Sequence, residues 1–212
     1  GALRWRYRMG GMIPEWSTYH DPLNSINRPS QMGPMWFQAR HISGMPLEDR
    51  IWVEDPPASS FLPCLAIKAA ERQSAHAAER YLRRAREALM MHRRNIARRE
   101  VLLALADALA QELPDHFNAA TFAHDLDAPA TADALRADLM HAAYRNIGRF
   151  PTLTLRLPDS PRGILLVGYR PYPLLLEALR RLTATLPPSR RAESQEAYAH
   201  YCHGILPREW SE

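Results

Sequence analysis

The stretch GRFPTLTLRL, residues 148–157, decides how the C-terminal part of the chain folds. From Pro151 onward it reads as a β-strand rich in Thr and Leu. Pro151 has no backbone N–H, so a strand accepts it only at its first residue, at an edge or at a bulge. An X-Pro bond is also the usual place of a cis peptide. Pro151 therefore either starts a strand or shapes a binding site.

The residues after this stretch predict a second strand and a helix. PDSPRG is typical of a turn, ILLVG of a strand, and PYPLLLEALRRLTA of an amphipathic helix with proline near its start. Two strands joined by so short a turn must be antiparallel. The sequence therefore predicts a β-hairpin followed by a closing helix.

A block of helices precedes the hairpin. A helix is predicted from Met32 to Ile42, and Ser59 or Ser60 is predicted to cap a second helix through FLPCLAIKAAERQ. LEDRIWVEDPPASS, between them, is predicted to be a turn-rich connector. Apolar residues recur at spacings of three and four in four further predicted helices, over residues 77–92, 98–112, 115–124 and 131–147.

The N-terminal part is predicted to hold one strand and one loop. LRWRYRM, residues 3–9, alternates apolar and basic side chains, which is typical of a half-buried strand, and Gly10 and Gly11 end it. Residues 12–28 have no sustained period and predict a long ordered loop. Long loops of this kind often line sites.

Composition excludes several classes of protein. The chain has 212 residues, 46% of them hydrophobic, and a net charge of +4 that comes from arginine, because Lys68 is the only lysine. The basic residues of 80–100 predict a solvated helix face, and no nucleic-acid motif accompanies them. No apolar run spans a membrane and no secretory signal is present, so a cytoplasmic location is expected. No cofactor-binding fingerprint appears.

These elements in this order resemble a known family. GRFPTLTL, GYRPYPLLLEAL, RMGGMIP, RPSQMGPMWFQARHISGMP and WVEDPPASSFLPCLAIKAAE are similar to segments of DsbA-like thioredoxin-fold proteins, in the branch that includes FrnE-like disulfide isomerases. The resemblance implies an α/β thioredoxin-like fold with a large all-helical insertion. It assigns residues 1–30 to the second thioredoxin-fold strand and loop, 31–147 to the insertion, 148–185 to the hairpin and helix, and 186–212 to a tail.

The resemblance also implies a site and a reaction. The family uses a C-x-x-C pair to exchange disulfides with proteins, and a cis-proline corner holds the substrate as an extended peptide. Here it implies a cis Phe150–Pro151 bond that leaves the backbone of Phe150 to pair with substrate. Met12 and Trp16 are candidates to line the same groove. The chain has no C-x-x-C pair, so no catalytic residue is assigned. The family's first strand and helix are missing from this sequence: either they lie upstream of Gly1, or the strand of residues 3–9 finds another partner, within the chain or in a second copy.

The remaining thiols and histidines are weak candidates. Cys64 lies in a helix first turn, which can activate a thiol, but its apolar neighbours favour a buried structural role. His200, Cys202 and His203 in the tail are weak evidence for a metal, and no metal site is assigned.

Two alternatives stay open beside a thiol-disulfide oxidoreductase or isomerase. One is a redox-inert protein-binding adaptor on the same fold. The other is a kappa-type glutathione-dependent transferase or isomerase with an upstream serine. Protein thiols, disulfides or an extended peptide are the expected partners, and an open sheet edge would favour a homodimer.

Overall fold

The computed structural model describes residues 4–158, 160, 162–183, 194 and 196. By compactness the chain divides into a helical unit, residues 9–140, and a hairpin unit, which joins residues 1–8 to residues from 141 onward. The division falls within a helix. The loop of residues 12–28 belongs to the helical unit.

Seven helices arise between Met32 and Tyr144. A 3₁₀ turn, Pro29–Gln31, leads into α1, Met32–Ser43, which Gly44 ends in the left-handed conformation (φ 68°). The next helices are α2, Ile51–Glu54; α3, Phe61–Gln73; α4, Ala75–Met90; α5, Arg99–Glu112; α6, Ala119–Leu126; and α7, Pro129–Tyr144.

The core of the helical unit forms where α3, α4, α5 and α6 pack together. Its centre is aromatic: Tyr81 of α4 lies 4.8 Å from Phe122 of α6, centroid to centroid, and Phe117 lies 5.7 Å from Phe122. Small residues on the facing helices let their backbones approach, and Ala66, Ala69, Ala70 and Ala77 are all fully buried. A second apolar cluster, the tryptophan cluster, gathers Ile26, Met32, Ile51 and Trp52 with Trp16, Tyr19 and Trp36.

The hairpin unit contains β1, Thr152–Arg156, β2, Gly163–Val167, and α8, Tyr172–Leu182. The strands are antiparallel, with Thr152 opposite Val167 and Arg156 opposite Gly163. The apolar side of α8, where Ala178 is buried, packs on both strands. The predicted hairpin and closing helix are therefore confirmed.

The strand predicted for residues 3–9 is not found in the described residues of that stretch, 4–9, which have no regular secondary structure. Alternation alone does not make a strand, because a strand exists only with a neighbour in its hydrogen-bond ladder. Between described residues, the sheet consists of β1 and β2, and neither pairs with this stretch.

Two helix predictions need correction. The connector before α3 contains the short helix α2, whose Ile51 and Trp52 are buried. The helix predicted from residue 115 begins instead at Ala119, because Gln73 holds the backbone of Asn118. The Gln73 amide oxygen accepts the Asn118 N–H at 2.8 Å, and its nitrogen donates to the Asn118 carbonyl at 2.9 Å. The Asn118 side chain then caps α6 through the Thr121 N–H.

In the described part of the chain, no helix combines the length and the apolar character needed to cross a membrane. No group of three or more His, Cys, Asp or Glu side chains among the described residues is arranged to hold a metal ion. The tail segment with His200, Cys202 and His203 lies outside the described residues.

Candidate functional site

The Phe150–Pro151 corner is an exposed feature at the entrance to β1. The Phe150–Pro151 peptide bond is cis, as the resemblance implied. The Pro151 carbonyl accepts the Gly168 N–H at 2.8 Å, which ties the start of β1 to the end of β2. The Thr152 hydroxyl donates to the Arg149 carbonyl at 2.6 Å. Pro151 therefore begins the strand and stands at a fixed turn.

Gly168 shapes the other side of this corner. Its φ of +77° lies in the left-handed region, which glycine adopts without steric penalty. The chain leaves β2 there and reaches α8 through Tyr169, and α8 begins at Tyr172. These two tyrosines are 71% and 65% exposed, and Phe150 across the register is 41% exposed. Three exposed aromatic side chains thus lie on the segments that lead into β1 and out of β2.

Tyr169 and Tyr172 were not predicted as site residues. The signal was present in GYRPYP, where two tyrosines alternate with prolines and arginine directly after the second strand. The antiparallel register then places this segment beside Pro151. Sequence reasoning placed the strand and helix there but not the exposure of the rings, which depends on how α8 packs.

The backbone of Phe150 keeps its hydrogen-bonding capacity. Between described residues, no backbone hydrogen bond uses the Phe150 N–H or carbonyl. An extended peptide pairing with Phe150 stays a prediction.

Met12 and Trp16 belong to the helical unit. Met12 is 44% exposed. Trp16 is half-buried in the tryptophan cluster, where its indole N–H donates to the Pro57 carbonyl at 2.8 Å. Its ring meets Tyr19 and Trp52 edge to face at 5.4 and 6.1 Å. Trp16 therefore has a structural role in that cluster, and a groove shared with Phe150 and Pro151 stays a prediction.

Cys64 lies in the first turn of α3, but its surroundings suppress the thiolate. Burial raises the pKa of the Cys64 thiol, and the nearby Asp138 carboxylate raises this pKa further. A backbone hydrogen bond from Gly11 acts against burial, and its effect on this pKa is larger than that of Asp138. The thiolate is the nucleophile in disulfide exchange. The environment therefore supports the structural role predicted for Cys64, and Cys202 lies outside the described residues.

A buried ion pair lies close to Cys64. Lys68 of α3 is 2% exposed, and its ammonium lies 3.1 Å from the carboxylate of Asp138, which is 0% exposed. Glu71 also contacts the Lys68 ammonium, and the Met9 N–H donates to Asp138 at 3.1 Å. Each buried charge thus has a partner of opposite sign within the fold, and this group joins α3, α7 and the segment before Gly10.

The basic segment of residues 80–100 is largely paired with acidic side chains. Arg80 of α4 lies 3.2 Å from Glu112 of α5, and Arg84 contacts the same carboxylate. Arg83 pairs with Glu87 at 2.9 Å. These pairs fit the solvated helix face predicted from the sequence.

A protein family and several curated proteins are similar to this chain over most of its length. A family model described as thioredoxin matches residues 2–177. The ClpXP adapter protein SpxH of Halalkalibacterium halodurans is 26% identical over 92% of this chain and 62% of its own length. The SpxH proteins of Bacillus subtilis and Shouchella clausii are 27% and 28% identical, over 88% and 87% of this chain. The chain spans about three fifths of the length of these relatives, 62%, 62% and 58%.

A solved structure supports the same fold. The crystal structure titled "putative protein disulfide isomerase", from Nitrosomonas europaea, superimposes with a TM-score of 0.61. The match covers 81% of this chain and 76% of that one, at 18% sequence identity. At this identity the likeness concerns the fold alone.

Proposed function

The chain belongs to the thioredoxin family, and we propose that it is a redox-inert adaptor that binds a client protein and presents it to a ClpXP protease. The thioredoxin-like fold predicted from the sequence is confirmed, as a mostly helical chain with a small two-stranded sheet. A fold of this kind hosts several functions, so the function must be argued from other observations.

The similarity to the adapter proteins carries the proposal. Relatives from three organisms are named ClpXP adapters, and each matches between 87% and 92% of this chain. The similarity therefore includes both the helical unit and the hairpin unit. An adaptor needs exposed surface that recognises polypeptide, and the aromatic corner around Pro151 offers such surface.

The chemistry of Cys64 also favours binding over redox catalysis. An oxidoreductase needs an accessible thiolate and a second thiol that resolves the mixed disulfide. The pKa of Cys64 is raised by burial, so its thiolate is scarce at neutral pH. The thiol-disulfide oxidoreductase or isomerase activity stays a prediction that rests on fold resemblance.

Reconstituted proteolysis tests the adaptor function. Purified ClpX and ClpP are mixed with ATP and an extract of the source organism from which this protein has been removed. The chain is added or omitted, and mass spectrometry follows the decay of each protein. We expect a small set of proteins to decay faster only when the chain and ATP are both present. ClpP with its active site blocked is the control, and equal decay rates with and without the chain would contradict the proposal.

Insulin reduction separates the oxidoreductase from the adaptor. We expect no catalytic, thiol-dependent reduction of insulin by this chain. Turnover that Cys64→Ser abolishes would contradict both this expectation and the structural role of Cys64. The Cys202→Ser variant is the matched control for general loss of a thiol.

A further inference from the structure

The charge of the chain is divided unequally between its two units. Residues 9–140 carry 14 basic and 17 acidic side chains. The hairpin unit, residues 1–8 and 141–212, carries 13 arginines and six acidic residues. The net charge of +4 is therefore the sum of a slightly acidic helical unit and a strongly basic hairpin unit. Such a field attracts an acidic partner and speeds its encounter.

The arginines of the hairpin are exposed. Arg149 and Arg170 lie at the Pro151 end, and Arg156 and Arg162 lie at the turn end. Glu177 of α8 already pairs with Arg181 at 2.5 Å. Guanidinium groups bind carboxylates with paired, charge-assisted hydrogen bonds. The hairpin thus presents carboxylate-binding groups at both of its ends.

Apolar side chains lie between these two ends. Leu165 of β2 is 45% exposed and lies opposite Thr154, so it shares one face of the hairpin with Arg156, whereas Leu153 lies on the other face. Tyr169 and Tyr172, both exposed, follow β2 at the Pro151 end. A ligand on the face of Leu165 would therefore meet an arginine and an apolar side chain together.

The sheet also offers backbone groups. In the described part of the chain the sheet has two strands, and their outer edges pair with no other described strand. An extended polypeptide can pair with such an edge through its own N–H and C=O groups. A nucleic acid could use the arginines and the tyrosines, but it has no backbone that matches a strand edge.

We propose that the hairpin unit binds an extended, acidic polypeptide segment, with carboxylates on Arg149, Arg156, Arg162 and Arg170 and apolar side chains on Leu165 and the exposed tyrosines. This proposal rests on the proposed function, because it names the class of client segment that the adaptor recognises. The acidic character of the ligand is the new element, and it follows from the charge of this unit.

Peptide binding by the full chain tests the proposal. The probe is a fluorescent peptide of about 12 residues that alternates Glu with Val and Tyr, long enough to follow one strand and its flanks. Two further probes are the same peptide with Lys in place of Glu, and an oligothymidylate of equal length. Fluorescence anisotropy gives the dissociation constants at low and high salt. We expect binding of the Glu peptide that weakens with salt, and no measurable binding of the Lys peptide.

Matched variants locate the surface. R156E/R162E reverses two charges at the turn end, and we expect the affinity for the Glu peptide to fall about tenfold or more. R156Q/R162Q removes the charges with less disturbance, and we expect a smaller loss in the same direction. R28E/R94E reverses two exposed arginines of the helical unit and serves as the control, for which we expect no more than a slight change.

Three results would overturn the proposal: equal binding of the Lys and Glu peptides, tighter binding of the oligothymidylate than of the Glu peptide, or an equal loss in R28E/R94E. The binding assay contains no protease, so its failure is separate from that of the proposed function. Acidic-peptide binding without faster ClpXP degradation would retain this inference and contradict the adaptor. Faster degradation without preference for the Glu peptide would contradict this inference alone.

Discussion

Tyr81 lies at the centre of the aromatic core, with 0% of its surface exposed. Its hydroxyl donates to the Leu102 carbonyl at 2.8 Å, which joins α4 to α5. Burial raises the pKa of Tyr81 far above its ordinary value, because the phenolate would lose its hydration in the core. In the unfolded chain the same side chain ionises near pH ~10.

This difference predicts a loss of stability at alkaline pH. The folded state keeps the Tyr81 proton while the unfolded state loses it, so the free energy of unfolding falls above pH ~10, by up to about 1.4 kcal/mol per pH unit from this group. Below that pH the contribution is fully present. Urea denaturation between neutral and alkaline pH measures the slope. Tyr81→Phe should flatten it, whereas Tyr144→Phe, at a side chain that is 88% exposed, should leave it unchanged.

Because Lys68 and Asp138 form a buried ion pair, we expect the stability effects of substitutions at these two residues to be strongly coupled. Lys68→Met removes the ammonium that offsets the charge of the buried Asp138 carboxylate, and we expect a loss of about 3–5 kcal/mol of unfolding free energy. Lys68→Met combined with Asp138→Leu should lose less than the sum of the two single changes. Arg136→Ala, which removes a surface pair with Asp133, is the control and should cost below about 1 kcal/mol. Additive losses in the double variant would show that the two side chains are independent.

Gly11 occupies a position where any side chain would be strained and would clash with its neighbours. Its φ is +52°, and a Cβ added there would lie 2.7 Å from the ring of Phe61 and 2.8 Å from Leu139. We expect Gly11→Ala to lower the free energy of unfolding by about 1–3 kcal/mol, from backbone strain and overpacking. Gly148→Ala is the matched control, since a Cβ there meets nothing within 4 Å. An equal effect at both glycines in chemical denaturation would contradict the steric argument.

At the scale of elements, the corner between α3 and α4 depends on one residue. Ser74 has extended backbone (φ −170°, ψ 160°), which ends α3, and its hydroxyl accepts the Ala77 N–H at 2.9 Å, which begins α4. Ser74→Ala should lower the unfolding free energy by about 0.5–2 kcal/mol. Ser74→Asp should keep most of the stabilisation that the Ser74 cap provides, because the Asp side chain can also accept the hydrogen bond. Thermal unfolding of both variants measures the difference. If Ser74→Ala and Ser74→Asp unfold at the same temperature, the Ser74 cap does not stabilise the corner.

The sequence predicts most helices because their apolar spacing and their end signals agree. α1 and α3 match their predicted ranges closely, because Gly44 ends α1 and two serines, Ser59 and Ser60, precede α3. In the second case the two serines act separately: the Ser59 hydroxyl accepts the Phe61 N–H, and the Ser60 hydroxyl accepts the Ile13 N–H. α2 was missed because four residues are too few for a helical period. The start of α6 was misplaced because Gln73, from a distant helix, holds Asn118.

The candidate site was less predictable than the fold, for a related reason. Pro151 was identifiable because proline restricts its own backbone. The role of Trp16 depends on partners such as Trp52, which local sequence patterns do not connect. Tyr169 and Tyr172 depend on the register of the hairpin, and the charge of the hairpin unit becomes visible only when the chain is divided into its two units.

At the scale of the whole molecule, the two units differ in how much apolar surface they bury. The core of the helical unit contains large side chains with almost no exposure, such as Leu102 and Phe122, at 0%. The hairpin unit has two described strands whose leucines are half-exposed or exposed. A two-stranded sheet alone is only marginally stable. The hairpin is therefore the natural place for local opening.

Hydrogen exchange tests this difference directly. We expect the backbone amides of α3, α4 and α5 to exchange slowest, and those of β1 and β2 to exchange faster by at least about tenfold. Exchange followed by mass spectrometry of peptic fragments resolves these elements. The amides of β1 and β2 should become protected when the Glu peptide is bound. Equal protection of strands and helices in the free chain would contradict a difference in local stability.

The burial of Lys68 has a consequence for the covalent chemistry of the protein. It is the only lysine among 212 residues, and only 2% of its surface is exposed. The folded chain therefore offers acylating enzymes and ubiquitin-like conjugating systems no accessible lysine ε-amine. An amine-reactive dye should therefore leave Lys68 unlabelled in the native state and label it once the helical unit unfolds.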